Sequence, residues 1–290
     1  MVQNGTKNTV IYNSTGTLKR ILLAKPTYHE ILPVSDVARD LHDKGVQQDM
    51  ETKLKQHAEL ECVFKDIGVE ISWVEPLIPN LHWQMFTRDF GVNTPDGALI
   101  GRFRYFERKG EEIYAKQALE TQGEKVLPRS IEKGCVEGGD CYWLNEDTLI
   151  IGNGNRSTYS GFENAREILK EHGKRVFVIE FLSKWNHLDM IFQPIADKLA
   201  VVCEDAVPDY LIGILDTLGW KLIRVPGDYA VRCEINVLAL GKDRVLSFKG
   251  NRLNEVFKAN GLTVYDPEYK FFTSAGGGPH CSTFELEREP

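Results

Sequence analysis

Residues 164–181 read NAREILKEHGKRVFVIEF, and this stretch decides the fold. Its first ten residues are predicted to form a helix that ends at Gly173, because glycine adopts the left-handed cap conformation without steric cost. The apolar run at residues 175–181 follows at once and predicts a strand. The stretch is therefore one helix–glycine–strand unit of an α/β fold.

The same unit occurs five times along the chain. The clearest helix covers residues 47–67, with Met50, Leu54 and Ala58 at four-residue spacing. The glycines that close the five helices lie 42 to 55 residues apart. Helix and following strand are predicted, in turn, at residues 47–67 and 69–74, 111–123 and 124–127, 164–173 and 175–181, 208–219 and 220–225, and 252–261 and 262–265.

Further short apolar runs lie between these units, at residues 20–24, 98–101, 148–152, 199–203, 237–240 and 244–248. Each module is therefore predicted to be strand, strand, helix, strand. One such module cannot bury its apolar face alone, so its repetition favours a solenoid or a propeller, and five modules are too few for a long solenoid. An ordinary α/β sheet whose alternation only looks periodic stays open on this pattern alone.

Length and composition limit the function classes. The 290 residues, of which 42% are hydrophobic, are typical of a folded protein with one or two domains. The 35 Lys and Arg against 42 Asp and Glu give a net charge of −7, so no nucleic-acid-binding face is expected. The six cysteines form no CxxC pair, which argues against a disulfide framework and a structural zinc site.

Two features bear on location. Residues 1–16 are polar, without the apolar stretch of a signal peptide, and no apolar run is long enough to span a bilayer. We therefore expect a cytoplasmic protein with no membrane partner.

Polar clusters follow the closing strand of nearly every unit. If the units are related by rotation about an axis, equivalent positions converge there, and these distant residues meet in one pocket. The clusters are Phe-Thr-Arg-Asp at 86–89, Glu-Gly-Gly-Asp at 137–140, His-Leu-Asp at 187–189, Cys-Glu-Ile-Asn at 233–236 and Gly-Gly-Gly-Pro-His-Cys at 276–281.

One cysteine and one histidine are candidates for nucleophilic chemistry. Cys281 follows three glycines, where a tight turn can leave the thiol accessible. His187 has a carboxylate two residues away, at Asp189, and another in the Glu137 cluster, either of which could hold and polarise its ring. His280 is the competing base, but it adjoins Cys281, and successive residues in extended chain point to opposite sides.

The clusters also contain four carboxylates: Asp89, Glu137, Asp140 and Asp189. A metal site is one interpretation of this set, although no paired-ligand spacing supports it. A guanidinium group suits the set better, because it is permanently cationic and pairs with carboxylates in bidentate fashion.

Taken in order, these motifs resemble those of the arginine deiminase, dimethylarginine dimethylaminohydrolase and amidinotransferase superfamily of guanidino-group-modifying enzymes. The resemblance runs from residue 20 to residue 288. It implies a five-bladed α/β propeller, formed by residues 1–290 as a single domain, which agrees with the five units counted above. It also implies a small guanidino substrate and no metal or organic cofactor. A homo-oligomer is left open.

The resemblance assigns roles to individual residues. It implies that Cys281 is the nucleophile, that His187 is the general acid and base, and that Glu137 orients His187. Asp89 and Asp189 correspond to the guanidinium-binding carboxylates. Two further residues are expected to bind substrate: Arg156, in a segment similar to the one whose arginine holds the substrate α-carboxylate, and Asp140.

Hydrolysis and amidino transfer share their first half-reaction, so the motifs do not separate them. Residues 102–108 and 280–283 look like the amidinotransferase branch, whereas Thr87 and the glycines before Cys281 look like the deiminases. The length is closest to the dimethylarginine hydrolases. We therefore expect a hydrolase of arginine or a substituted arginine, with an amidinotransferase as the alternative.

Two other functional classes share some of these features. A non-catalytic arginine-binding protein stays open, although the joint presence of Cys281, His187 and Glu137 argues against it. A cysteine peptidase would place its cysteine early, at a helix N-terminus, whereas Cys281 lies near the end of this sequence.

One segment is a candidate lid. Residues 26–36 contain Pro26 and Pro33 and show no clear period. We expect this long connection to close over the substrate.

Overall fold

Each of the five predicted helices is followed by a glycine in the left-handed conformation. Gly68, Gly123, Gly173, Gly219 and Gly261 have φ values between 70° and 88°. An L-residue with a side chain is strained at such angles, so glycine is what allows the chain to turn from helix to strand there. The helix–glycine part of the prediction is confirmed at all five positions, and the strand that follows is confirmed at four of them.

The computed structural model describes residues 13–32, Arg39, Asp43 and residues 49–290. Three sequence predictions fall partly outside these residues: the polar stretch at 1–12, positions 33–36 of the expected lid and positions 47–48 of the first predicted helix. Within residues 49–290 there are seven α-helices, α1 Met50–Asp66, α2 Glu111–Thr121, α3 Tyr159–Glu171, α4 Asp209–Thr217, α5 Asp228–Val231, α6 Asn254–Ala259 and α7 Lys270–Ser274.

Capping side chains explain where two helices begin. Asp49 accepts the backbone N–H groups of Glu51 and Thr52 at the start of α1. Thr158 accepts the N–H of Gly161, so α3 starts five residues before the predicted position 164. The short helices α5 and α7 were not predicted, because neither is long enough to show a helical period.

The strands run β1 Thr17–Leu23, β2 Glu70–Trp73, β3 Gly91–Thr94, β4 Gly97–Ile100, β5 Cys141–Asn145, β6 Thr148–Asn153, β7 Arg175–Glu180, β8 Phe192–Ala196, β9 Leu199–Cys203, β10 Lys221–Val225, β11 Leu238–Gly241, β12 Arg244–Leu246, β13 Thr263–Tyr265 and β14 Phe284–Glu289. Among the described residues they form five small sheets, in the orders β14-β1-β2, β3-β4, β5-β6-β7, β8-β9-β10 and β11-β12-β13. The fold is therefore mixed α/β.

The three-stranded sheets share one connection pattern. The first two strands pair antiparallel, and the strand that returns after the helix pairs in parallel with the second, as β5, β6 and β7 do. In the sheet β3-β4 the predicted third strand at residues 124–127 is wrong as a strand. The pairing there is limited to one parallel bridge, between Ala98 and Val126. It does not extend into a strand because Pro128 follows and has no N–H to continue the ladder.

The first sheet combines both ends of the described chain. β14 pairs antiparallel with β1, from Thr17 opposite Glu289 to Leu22 opposite Phe284. Arg288, on β14, is buried and donates from Nη2 to the carbonyl of Ala239 on β11. The last strand is therefore tied to its own sheet and to a neighbouring one.

Apolar side chains between the sheets and helices form the core. Ile151 on β6 and Leu169 on α3 lie in one cluster, whereas Val201 on β9 and Phe257 on α6 lie in a larger one. Full burial of such a side chain contributes about 1.5–3 kcal/mol. No helix in the described part of the chain combines the length and the apolar composition that a membrane crossing requires.

Candidate active site

Three of the polar clusters form single 3₁₀ turns in equivalent places. The turns Thr87–Phe90, Gly138–Asp140 and Leu188–Met190 come directly before, or one residue before, β3, β5 and β8. Each of these strands is the first of its sheet. Equivalent ends of three sheets therefore carry the predicted carboxylates and the predicted histidine.

One cavity brings four of the predicted residues together. It has a volume of about 630 Å³, and Asp89, Arg156, His187 and Cys281 lie in its wall. The aromatic side chains of Trp83, Phe86, Tyr105 and Trp185 complete much of the lining. Two larger and more open grooves lie beside α1 and α3 and hold none of the predicted site residues.

His187 lies between two carboxylates. Its Nε2 is 3.0 Å from Glu137 Oε2 and 3.7 Å from Asp89 Oδ1. Burial alone would lower the pKa of His187, but the charges of Asp89 and Asp140 and the hydrogen bond to Glu137 raise it to about 9. The ring therefore rests as an imidazolium at neutral pH.

Gly139 is required for this arrangement. A Cβ at Gly139 would lie 2.9 Å from Asp89 Oδ1 and 3.0 Å from the His187 ring. Its N–H donates to Asp89 Oδ1 at 3.2 Å. The Gly-Gly pair therefore allows the turn to approach both side chains closely and to orient one of them.

The Cys281 thiol contacts the second predicted carboxylate. Its Sγ lies 3.4 Å from Asp189 Oδ2, and its backbone N–H donates to Asn236 Oδ1 at 3.1 Å. Burial, followed by the negative charges of Asp189 and Asp89, raises the pKa of Cys281 well above its usual range. The free site therefore holds a protonated thiol.

Asn236 fixes the turn that carries Cys281. Its Oδ1 accepts the N–H groups of both Gly278 and Cys281, and its Nδ2 donates to the carbonyl of Asp189. A Cβ at Gly278 would overlap the Asn236 backbone. Sequence reasoning placed Asn236 in a polar cluster without giving it a role.

Arg108 and Glu111 lie at the site but were not predicted from the sequence as site residues. The Arg108 guanidinium is buried, forms an ion pair with Asp89 and lies 2.7 Å from Glu111 Oε2. Burial raises the pKa of Glu111 to about 7, although Arg108 opposes this shift. Arg108 lies in residues 102–108, a segment noted in the sequence only for its similarity to the amidinotransferase branch. Its contact with Asp89 is formed by the fold.

Arg156 faces the cavity with unused donors. Its Nη2 lies 2.8 Å from Glu137 Oε2 as an ion pair, but within the described residues neither Nη2 nor Nε makes a hydrogen bond. The guanidinium stacks over Tyr105, 4.5 Å from the ring centre. A buried cation with free N–H groups is suited to an anionic ligand.

Asp140, Asp189 and Glu137 are fully buried beside residues that line the cavity. Asp140 accepts the backbone N–H groups of Ser157 and Leu188, next to Arg156 and His187. This is the placement of a positioning residue. Asp189 Oδ1 is buried and has no hydrogen-bond partner among the described residues.

A metal ion could use three of these groups. Ligand atoms of Asp89, Glu137 and His187 lie within 4.8 Å of one another. The Arg108 and Arg156 guanidinium groups, however, already pair with the two carboxylates. The set would have to release both arginines for these oxygens to coordinate a metal ion, so its chemistry does not favour a metal site.

Comparisons with known proteins agree with the motifs. The sequence matches the arginine deiminase family over residues 23–209. The uncharacterized protein YkgA of Bacillus subtilis is 27% identical over 285 residues, which are 97% of this chain and 96% of that protein. The arginine deiminase of Borreliella burgdorferi is 24% identical, over 77% of this chain and 64% of that enzyme.

Solved structures show the same fold. The N-terminal domain of ArgZ, an arginine dihydrolase from cyanobacteria, superposes with a TM-score of 0.79 at 23% identity and covers 93% of this chain and 97% of that domain. DDAH from Pseudomonas aeruginosa, in complex with citrulline, has a TM-score of 0.75 at 20% identity and covers 93% of this chain and 99% of that enzyme.

Proposed function

Because the chain belongs to the arginine deiminase family, we propose that it hydrolyses the guanidino group of arginine or of a substituted arginine. One observation carries the proposal: a cavity of about 630 Å³ has Cys281 and His187 in its wall, with Asp89 beside them. A thiol, an imidazolium and a carboxylate around one enclosed space are the groups that guanidino hydrolysis needs.

Substrate binding is the first step. Asp89 and Asp189 hold the guanidinium, and its central carbon is then oriented toward Cys281 Sγ. The unpartnered Oδ1 of Asp189 supports this role, because a buried carboxylate oxygen is costly without a donor and a guanidinium supplies several. The arriving cation also offsets the negative field that keeps the thiol protonated.

The first half-reaction forms the covalent intermediate. The Cys281 thiol loses its proton to solvent as the cation binds, and the thiolate forms a sulfur–carbon bond. His187 transfers its proton to the departing nitrogen while the carbon–nitrogen bond breaks, which releases ammonia or an amine and leaves a cationic amidino-thioether. Glu137 keeps the imidazole oriented.

The second half-reaction regenerates the enzyme. Neutral His187 takes a proton from water, and the hydroxide adds to the amidino carbon. The carbon–sulfur bond then breaks, Cys281 leaves as thiolate and recovers a proton as the new C–OH group becomes the ureido C=O. The product is citrulline-like. With an amine in place of water, the same steps would give an amidinotransferase, which is the alternative.

Two residues support binding and alignment. Arg156 binds the substrate α-carboxylate through its free N–H groups, which belong to a buried guanidinium in the cavity wall. Asp140 positions the segments that carry Arg156 and His187 rather than contacting substrate, in line with its two backbone hydrogen bonds.

We also propose that the five sheets form one closed ring, a five-bladed α/β propeller built by residues 1–290 as a single domain. The pairing of β14 with β1 supports it, because a strand from one end of the described chain completes a sheet begun at the other. Closure of this kind brings equivalent strand ends together around one axis.

Product analysis tests the proposed function. The protein is incubated with arginine, methylated arginines or agmatine, each with and without glycine as an amine acceptor, and products are identified by mass. We expect a ureido product and a released amine, independent of glycine. A glycine-dependent guanidino product would establish the transferase instead, and no conversion of any compound would reject both.

A further inference from the structure

His280 is the ionisable neighbour of Cys281 that the proposed mechanism does not use. The side chain is buried, with 1% of its surface exposed. Its Nδ1 lies 2.9 Å from Asp189 Oδ2, the same oxygen that lies 3.4 Å from Cys281 Sγ. His280 and the Cys281 thiol therefore both contact the same carboxylate oxygen of Asp189.

The other ring nitrogen of His280 fixes where its proton lies. Nε2 is 2.6 Å from Arg88 Nη2. A guanidinium group has N–H donors and no acceptor, so Nε2 must accept this hydrogen bond and carries no proton. The single ring proton of a neutral His280 is then on Nδ1, where it is donated to Asp189.

The surroundings of His280 hold this state. Arg88 Nη2 also donates to Glu285 Oε1 at 2.6 Å, which anchors the guanidinium on the far side of the ring. Tyr142 stacks on the imidazole, with ring centres 5.4 Å apart. Burial and the Arg88 charge lower the pKa of His280, against the opposing effects of Asp189 and Glu285.

We infer that His280 is a positioning residue that, as the neutral Nδ1–H tautomer, holds one oxygen of Asp189 beside Cys281 and leaves the other for the substrate guanidinium. The inference rests on the proposed function, because it gives Asp189 its ligand. The unpartnered Oδ1 of Asp189 fits it: Oδ2 is occupied by His280, and Oδ1 has no donor within the described part of the chain.

Nuclear magnetic resonance of ¹⁵N-histidine-labelled protein tests the tautomer directly, and His280→Phe assigns the signals. We expect a protonated Nδ1 and an unprotonated Nε2 for His280 at neutral pH. An imidazolium, or a ring protonated at Nε2, would overturn the inference whatever the enzyme's substrate.

Two variants of similar size separate positioning from packing. In His280→Asn the side-chain amide nitrogen takes the place of Nδ1 and can still donate to Asp189, whereas in His280→Gln it takes the place of Nε2 and cannot. Because a hydrogen bond to a charged group is at stake, we expect His280→Gln to lose roughly 10- to 100-fold in kcat/KM and His280→Asn to retain most of it.

Guanidinium binding by the two variants is a measurement that a change in packing alone would not alter. With Cys281→Ala added to each variant, guanidinium binding can be measured without turnover. We expect His280→Gln to bind a guanidinium more weakly than His280→Asn, although the two variants should have similar melting temperatures. Equal kcat/KM in the two variants, or losses that follow melting temperature, would overturn the inference. Absence of turnover in the unmodified enzyme would instead reject the proposed function.

Discussion

His187 Nε2 lies 3.0 Å from Glu137 Oε2, and both side chains are buried. The negative charges around the ring keep it protonated, whereas the same negative surroundings keep the Cys281 thiol protonated. In the proposed mechanism, the acid of the first step is therefore charged before substrate arrives, whereas the nucleophile is still a thiol. In that proposal, a cationic substrate lowers the pKa of the Cys281 thiol when it binds.

Removal of the Glu137 charge should weaken the acid. In Glu137→Gln we expect a pKa of His187 below about 9, because burial then opposes fewer negative charges. Turnover should fall about 100-fold or more, since ring orientation is lost together with charge. Histidine titration by nuclear magnetic resonance and steady-state kinetics measure the two effects.

The matched control for Glu137→Gln is Glu163→Gln. Glu163 pairs with Arg166 on an exposed part of α3 and lies outside the cavity. It should leave turnover and the His187 titration unchanged. An unaltered His187 titration in Glu137→Gln would show that Glu137 does not hold the ring charge.

Thiol reactivity should depend on the charge of the reagent. Chloroacetamidine is cationic and chloroacetamide is neutral, so their rate ratio at Cys281 reports the negative field at the thiol. We expect this ratio to exceed the ratio at the exposed Cys62 by about 10-fold or more, because Asp89 and Asp189 attract the cation. Peptide mass mapping of both cysteines in one sample gives the two ratios. Equal ratios would contradict activation by a cationic substrate.

Replacement of Cys281 should abolish turnover without unfolding the protein. We expect Cys281→Ser to lose about 1,000-fold or more in kcat, because the hydroxyl is a far weaker nucleophile in this site. Cys62→Ser, on the exposed face of α1, is the control and should keep full activity. Mass spectrometry during turnover should find an amidino adduct on Cys281 and none on Cys62. Substantial activity in Cys281→Ser would rule out the covalent route.

The repeat was predictable because its signal is local. A glycine that closes a helix is visible in the sequence, and each of the five has the expected positive φ. The first strands of several sheets, such as β3 and β5, were missed because they follow the polar turns without a break. β14 was missed because its apolar residues alternate with charged ones and its partner, β1, lies at the other end of the chain.

The site was predictable only in part. Asp89, His187 and Cys281 stand in motifs whose polar residues have no evident role in a loop, so the sequence pointed to them. Arg108 carries no such signal, since its pairing with Asp89 requires a contact 19 residues away. The partners of His280 were equally hidden, because Arg88 and Asp189 come from distant turns.

The charge of His187 should make stability depend on pH. A histidine whose folded pKa is raised from 6.5 to about 9 contributes stability that is fully present below pH 6.5 and is lost as pH rises through about 9. Melting temperatures from pH 6 to 10 should therefore fall more steeply for the unmodified protein than for His187→Gln. Stability linked to the buried carboxyls Asp140 and Glu111, whose pKa values are raised to about 7, is also lost as pH rises through about 7, so the His187 contribution is read from the two curves between about pH 8 and 10. Parallel curves for the two proteins would contradict an imidazolium at His187.

Arg156 should distinguish substrates by their carboxylate. In a Cys281→Ala background, which binds without turnover, we expect Arg156→Ala to weaken arginine binding roughly 10- to 100-fold, because a charge-assisted hydrogen bond to a carboxylate is lost. Agmatine has the same guanidinium and no carboxylate, so its affinity should change much less. Calorimetry on both ligands gives the ratio, and Arg166→Ala, at an exposed ion pair on α3, is the control. Because Arg156 also lies 2.8 Å from Glu137, an equal loss for both ligands would mean that Arg156 supports the catalytic carboxylate instead of the substrate's.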